Sequence, residues 1–208
     1  MIWHTVPVLI QRLFPERLWR KSSEENTVYL TFDDGPVAGV TEYVLQELAK
    51  RDQIATFFVV GDNVRRNPKL AQEMVSAGHG IGNHTFNHLN GWKTEKSVYL
   101  ENVDLCDRVL GDVLGIKTKL FRPPYGLFKP SQAAEISKYH QIVMWDMLSG
   151  DYDQNLKPEV VLSKSIHCTK AGTIAVFHDQ LKTKELLPKI LPRYLDFIVE
   201  MGWKTAVL

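Results

Sequence analysis

Three short stretches bring together residue types that could do chemistry as a group. TFDDGP, residues 31–36, ends a β-branched and aromatic run on two adjacent carboxylates, Asp33 and Asp34. NHTFNH, residues 83–88, spaces His84 and His88 four apart. On a helical turn that spacing puts both rings on one face, where they could grip one metal ion. Two histidines and one carboxylate give three protein ligands and leave positions open for water and substrate, the pattern of a catalytic zinc site. Either aspartate could be the third ligand. A bound cation would then offset their mutual repulsion. The other carboxylate would be free to take a proton from water, whose pKa a metal lowers to roughly 7. The plainer readings are an Asx-turn built on Asp-Gly and two surface histidines.

Further along come FRPPYG, with Arg122 and Tyr125, then WDMLSGDYD, with Asp146 and Asp151, and FHDQ, with His178 and Asp179. A guanidinium beside a base carboxylate keeps it ionised and oriented. Pro123 and Pro124 restrict the backbone and could fix the Tyr125 amide as an oxyanion donor. His178 could protonate a leaving amine, which hydrolysis of an amide requires. Each of these residues, taken alone, could equally serve the core or the surface.

The elements that must position these residues alternate. Strand-like runs at Val28–Phe32, Ala55–Val60, His79–Gly82, Leu120–Arg122, Ile142–Trp145, Thr173–Phe177 and Lys204–Leu208 are short, apolar and bounded by Gly, Pro, Asn or charge. Helical spacing fills Thr41–Arg51 (Thr41 as N-cap), Pro68–Ala77 (closed by Gly78), Thr94–Leu114, Ser131–Tyr139, Pro158–Thr169 and Leu187–Met201. Such alternation implies parallel βαβ units, in an open sheet or a barrel. Every unusual polar cluster follows the carboxyl end of an expected strand, the face where active sites of such folds lie. Residues spread over about 150 positions would therefore share one pocket.

The chain of 208 residues suits one domain, and its 44% hydrophobic and 24% charged residues are those of an ordinary globule. With 25 Lys and Arg against 24 Asp and Glu, charge gives no hint of a nucleic-acid partner. Cys106 and Cys168 fall in helical patterns and read as free thiols. No run reaches the ~20 apolar residues of a transmembrane helix. The N-terminus makes a poor signal peptide, so the expected location is cytoplasmic. Residues 1–26 read as an extension packing on the domain formed by 27–208, with Val6, Leu9, Ile10, Leu13 and Phe14 on the apolar face of a short helix. Membrane-surface contact is the alternative for that face.

Taken in order, TFDDGP, HTFNH, RPPYG, WDMLSGDY and FHD resemble the five motifs of the polysaccharide deacetylases, the NodB-homology or carbohydrate esterase family 4 enzymes. The resemblance runs from about residue 27 to the C-terminus. It implies a distorted (β/α) barrel with seven or eight parallel strands, and metal-dependent removal of acetyl from N-acetylated oligo- or polysaccharides. By the same resemblance Asp33 is the base and Asp34, His84 and His88 hold one divalent metal: zinc, with cobalt, manganese or nickel also used in the family. Arg122 orients Asp33, the Tyr125 N–H stabilises the oxyanion and His178 is the acid. The fourth motif departs from the family's DxxDW pattern, with Leu148 where an aspartate commonly partners the acid and Tyr152 in place of tryptophan. His178 should then have a lowered pKa unless Asp151, Asp146 or Asp179 compensates, and Asp151 is the expected substitute. A carbohydrate-binding pseudoenzyme and an amidohydrolase on a non-sugar amide are the competing readings. Trp92 or Tyr152 beside the pocket would favour sugar stacking.

Overall fold

TVYLTFD forms the central strand, β1 (Thr27–Asp33), and its two faces have different tasks. Val28, Leu30 and Phe32 pack outward with helix residues such as Val44, Leu48, Leu191 and Leu195. Thr31 and Asp33 share the other face, as strand alternation requires, and both meet Arg122 inside the barrel. The computed structural model describes residues 4–22 and 26–208.

Beside β1 lie β2 (Thr56–Val59) and β7 (Ile174–His178). Next to β2 follow β3 (Gly80–Asn83), β4 (Leu120–Phe121) and β5 (Gln141–Ile142), and β6 (Met147–Leu148) flanks β7. All pair in parallel in the order β5-β4-β3-β2-β1-β7-β6, while β8 (Lys204–Thr205) pairs with the start of β1. The sheet curls into an incomplete α/β barrel, the expected fold class. Residues 4–20 cross the gap between edge strands β5 and β6. Leu18 bonds the Ile142 carbonyl and the Met144 amide at 2.9 and 2.8 Å, and His4 accepts from the Leu148 amide at 2.9 Å.

Three expectations need correction. The run Ile142–Trp145 is not one strand, because its backbone is claimed elsewhere. Arg122 donates to the Val143 and Met144 carbonyls at 3.4 and 3.0 Å, and Leu18 takes the Met144 amide. Pairing resumes only at β6. The helix expected near the N-terminus, α1 (Val8–Leu13), does not bury one whole apolar face. Val6 and Ile10 pack inward with Trp19 and Phe121, but Val8, Leu9 and Leu13 are exposed. Thr41 opens helix α2 (Thr41–Ala49) from inside it and is not its N-cap. Its hydroxyl accepts the Val37 N–H and points at Asp179. A short helix after β2, α3 (Gly61–Arg66), carries no strong sequence signal. Both cysteines are free. Among the described residues no helix is long and apolar enough to cross a membrane.

Candidate active site

The carboxyl ends of the strands surround a cavity of about 590 Å³. Asp33, Asp34, His84, His88, Tyr125 and His178 line it, with Leu148, Tyr152, Asn63 and Lys182. Arg122 and Asp151 lie behind Asp33 and His178. Asp146 stands apart, bonded to Gln11 and Thr173, and does not reach His178. Trp92 is exposed but outside the cavity, its indole N–H on the Phe128 carbonyl.

Asp33 and Asp34 diverge, as alternation at a strand end demands. Asp33 stays in register with β2 and β7, whereas Asp34 takes φ +86° and turns toward His84 and His88. Its Oδ1 lies 2.9 Å from His88 Nε2 and 3.5 Å from His84 Nε2. The histidines do not sit on a helical turn. They belong to a loop in which Thr85 and His88 have φ of +64° and +56°. Side chains replace helical hydrogen bonds there: Asn83 Oδ1 accepts the Thr85 N–H, and Asn102 Oδ1 accepts those of Phe86 and Asn87. Four-residue spacing therefore brings the rings together by a looped path.

The donor set fits a divalent cation. His84 Nδ1 is 2.7 Å from the Arg122 carbonyl, which can only accept, so Nδ1 carries a proton and Nε2 is the ring nitrogen left to face a cation. Burial opposes a charge on Asp34, and both rings protonated would hold it well below the usual carboxylate range. Asp34 Oδ1 is buried without a hydrogen bond, and one ligand atom each from Asp34, His84 and His88 all lie within 4.8 Å of one another. Converging lone pairs on two nitrogens and one carboxylate form a cation site of the kind zinc accepts.

Arg122 is fully buried. It donates to Asp33 Oδ1 at 2.6 Å, to Thr31 Oγ1 at 2.8 Å and to two main-chain carbonyls, and its guanidinium lies 4.0 Å from the Phe58 ring centroid. Burial lowers its pKa while Asp33 raises it, leaving it below the usual arginine value. Across the cavity the polarity is reversed. Asp151 accepts from His178 Nδ1 at 2.7 Å and from the His178 N–H at 2.8 Å. Burial works against a charged His178, but Asp151, with Asp34 and Asp33 further off, pushes its pKa up to about 9. The lowering expected from Leu148 is thus reversed, with Asp151 compensating. The Tyr152 ring packs edge-on to His178 at 5.1 Å.

Tyr125 adopts φ +62° in the turn fixed by Pro123 and Pro124, whose carbonyls take the next two amides. Its own N–H makes no hydrogen bond among the described residues, and its ring packs on His88 at 4.6 Å. Sequence reasoning missed Asn63, whose amide holds the Asp34 carbonyl at 2.7 Å, and Thr31. Thr31 stands inside the TFDDGP motif, two residues before Asp33, whereas Asn63 follows β2 with no motif beside it.

A family model, polysaccharide deacetylase, matches residues 20–145, more than half of the chain. A peptidoglycan-N-acetylglucosamine deacetylase of Bacillus cereus is 34% identical over 184 residues, 84% of each chain. The PgdA enzyme of Listeria monocytogenes is 31% identical over 78% of this chain but only 34% of its own length. In fold, the Bc1960 peptidoglycan N-acetylglucosamine deacetylase superposes with a TM-score of 0.84 at 24% identity, over 98% of this chain and 95% of that one. BA3943 of Bacillus anthracis, a CE4 family pseudoenzyme, does so with 0.77 at 26% identity, over 91% and 66%.

Proposed function

The chain belongs to the polysaccharide deacetylase family, and from that premise we propose that it hydrolyses the N-acetyl group of an amino-sugar glycan to a free amine and acetate. One observation carries this reading. A three-ligand cluster, a carboxylate paired with a buried cation and a histidine paired with a buried carboxylate all face one cavity.

Asp34, His84 and His88 would hold the metal, proposed as zinc from the mix of nitrogen and oxygen donors. When bound, such an ion supplies a Lewis acid and lowers the pKa of nearby water toward ~7. Asp33, oriented by its hydrogen bond from Arg122, takes the proton as the water oxygen bonds to the acetyl carbon. The Tyr125 N–H is free to donate to the oxygen that becomes negative. As the carbon–nitrogen bond breaks, His178 delivers its proton to the departing amine. Its pKa near 9 keeps it protonated at neutral pH. The exposed rings of Tyr125 and Tyr152 flank the cavity and suit the apolar faces of sugars.

The fold likeness to BA3943 makes a binding-only pseudoenzyme the second reading. Against it stands the full set of groups the reaction needs. Acetate release from N-acetylglucosamine oligomers and from peptidoglycan, measured on the zinc-loaded chain, decides between them. We expect turnover that Asp33→Asn abolishes; no acetate from any acetylated sugar would overturn the proposal.

A further inference from the structure

The reaction uses Asp33 and Asp34, yet neither residue explains how their turn keeps its shape. Asp34 has φ +86°, a left-handed conformation that side-chain-bearing residues avoid unless their surroundings impose it. Asp179, directly after His178, supplies much of that constraint. It is fully buried, and both of its oxygens are used. Oδ1 accepts the Gly35 N–H at 3.0 Å, and Oδ2 accepts the Thr41 hydroxyl at 2.6 Å. Thr41 Oγ1 in turn accepts the Val37 N–H at 2.8 Å, and the Asp179 N–H donates to the Asp33 carbonyl at 3.1 Å. The carboxylate thus grips the turn at residue 35 and, through Thr41, at 37, while the Asp179 main chain holds residue 33. The approach is so close that a Cβ on Gly35 would fall 1.9 Å from Asp179 Oδ2. Asp179 is not a second partner for the acid, because His178 gives both its Nδ1–H and its own amide to Asp151.

We propose that Asp179, with Thr41 as its relay, is a positioning residue for the metal site: it locks the DDGP turn so that Asp34 Oδ1 aims at His84 and His88. Holding the left-handed turn from the β7 side also fixes the distance between the metal ligands and His178, since residues 178 and 179 are adjacent. This rests on the reading of Asp34, His84 and His88 as metal ligands.

Zinc affinity of the full chain, measured by competition with a chromogenic chelator, tests it without any substrate. Asp179→Asn places an amide N–H against donors, and Thr41→Val removes the relay. Each should weaken zinc binding by ~10–100-fold, the usual cost of losing an outer partner of a metal ligand. Thr41→Ser, which keeps the hydroxyl, should restore binding close to wild type, and the melting temperature of the metal-free Thr41 variants should stay together. Wild-type affinity in both Asp179→Asn and Thr41→Val would overturn the proposal, as would a Thr41→Ser variant no better than Thr41→Val. If Asp179→Asn does not fold, the Thr41 pair decides alone. A wild-type chain that binds no zinc would overturn the metal reading and this proposal with it; wild-type binding in the variants would overturn only this one.

Discussion

The cavity is flanked by two charge pairs that perform one task with opposite signs. On the base side a cation, Arg122, holds the carboxylate of Asp33; on the acid side a carboxylate, Asp151, holds the imidazole of His178. Their settings differ more than their chemistry. Arg122 reaches through the barrel interior, stacks on Phe58 and binds the main chain where β5 gives out, so the core is built around it. Asp151 sits in the loop after β6, and among the described residues its carboxylate hydrogen-bonds only to His178, by two hydrogen bonds. The base half is therefore part of the scaffold and the acid half is an attachment to it. Mutations on the base side should damage fold and rate together at any pH, whereas those on the acid side should act through His178 protonation, on rate and on pH-dependent stability.

The largest effect falls on Arg122. Arg122→Met leaves Asp33 buried without its partner and frees the Val143 and Met144 carbonyls. Breaking a buried pair in this way costs about 3–5 kcal/mol, so denaturant melts should show a large loss beside the loss of activity. A variant with wild-type stability would remove the distinction drawn between the halves. Next comes Asp33→Asn, which should cut acetate release by ~10²–10⁴-fold, the worth of a positioned base, yet leave zinc affinity at the wild-type value. Asp34→Asn should do the reverse and weaken zinc binding first. Equal effects of the two on zinc would collapse their separate roles.

On the acid side, Asp151→Asn should keep the fold and move the pH response. His178 must be protonated to act, so activity falls as pH rises through its pKa, and loss of the Asp151 charge should shift that limb down by ~1 unit or more. The same pair gives a stability signature in the metal-free chain. A histidine raised from 6.5 to about 9 contributes stability that is full below 6.5 and is lost as pH rises through about 9. Melting temperature should decline across that window in the wild type and stay flatter in Asp151→Asn. An unchanged rate and pH profile would remove Asp151 from the acid's machinery.

The sequence made the fold legible where alternation was undisturbed. β1, β2 and β7 are short runs rich in apolar and β-branched residues, and β1 and β7 end on Asp33 and His178, so the end they share could be read directly. It misled where side chains take over the backbone. Ile142–Trp145 has strand composition, but Arg122 and Leu18 consume its carbonyls and amide. His84 and His88 have helical spacing, but Asn83 and Asn102 bend the loop between them. The same limit explains why Asn63 and the turn-facing role of Asp179 leave no sequence signal, and why Thr41 reads as an N-cap although it faces Val37 and Asp179. Hydrogen bonds to main-chain atoms of a distant segment leave no pattern of type or spacing. The residues facing the cavity were named because their types are unusual at strand ends, whereas those holding them are common polar residues.

The smallest expected effect is at Leu148, where the chain departs from the family pattern. Leu148 pairs in register with Val176, two residues before His178, and both line the cavity. Leu148→Asp would add a second carboxylate on that wall. Because Asp151 already accepts from both His178 Nδ1 and its amide, the new charge finds no free donor on the ring's inner side and acts only at a distance. The alkaline limb should rise by less than ~1 unit, a change of under 1.4 kcal/mol, with little change in maximal rate. A large gain in rate would mean that Asp151 alone leaves the acid under-supported, and that the acid half of the site depends on the β6 wall as the base half depends on Arg122.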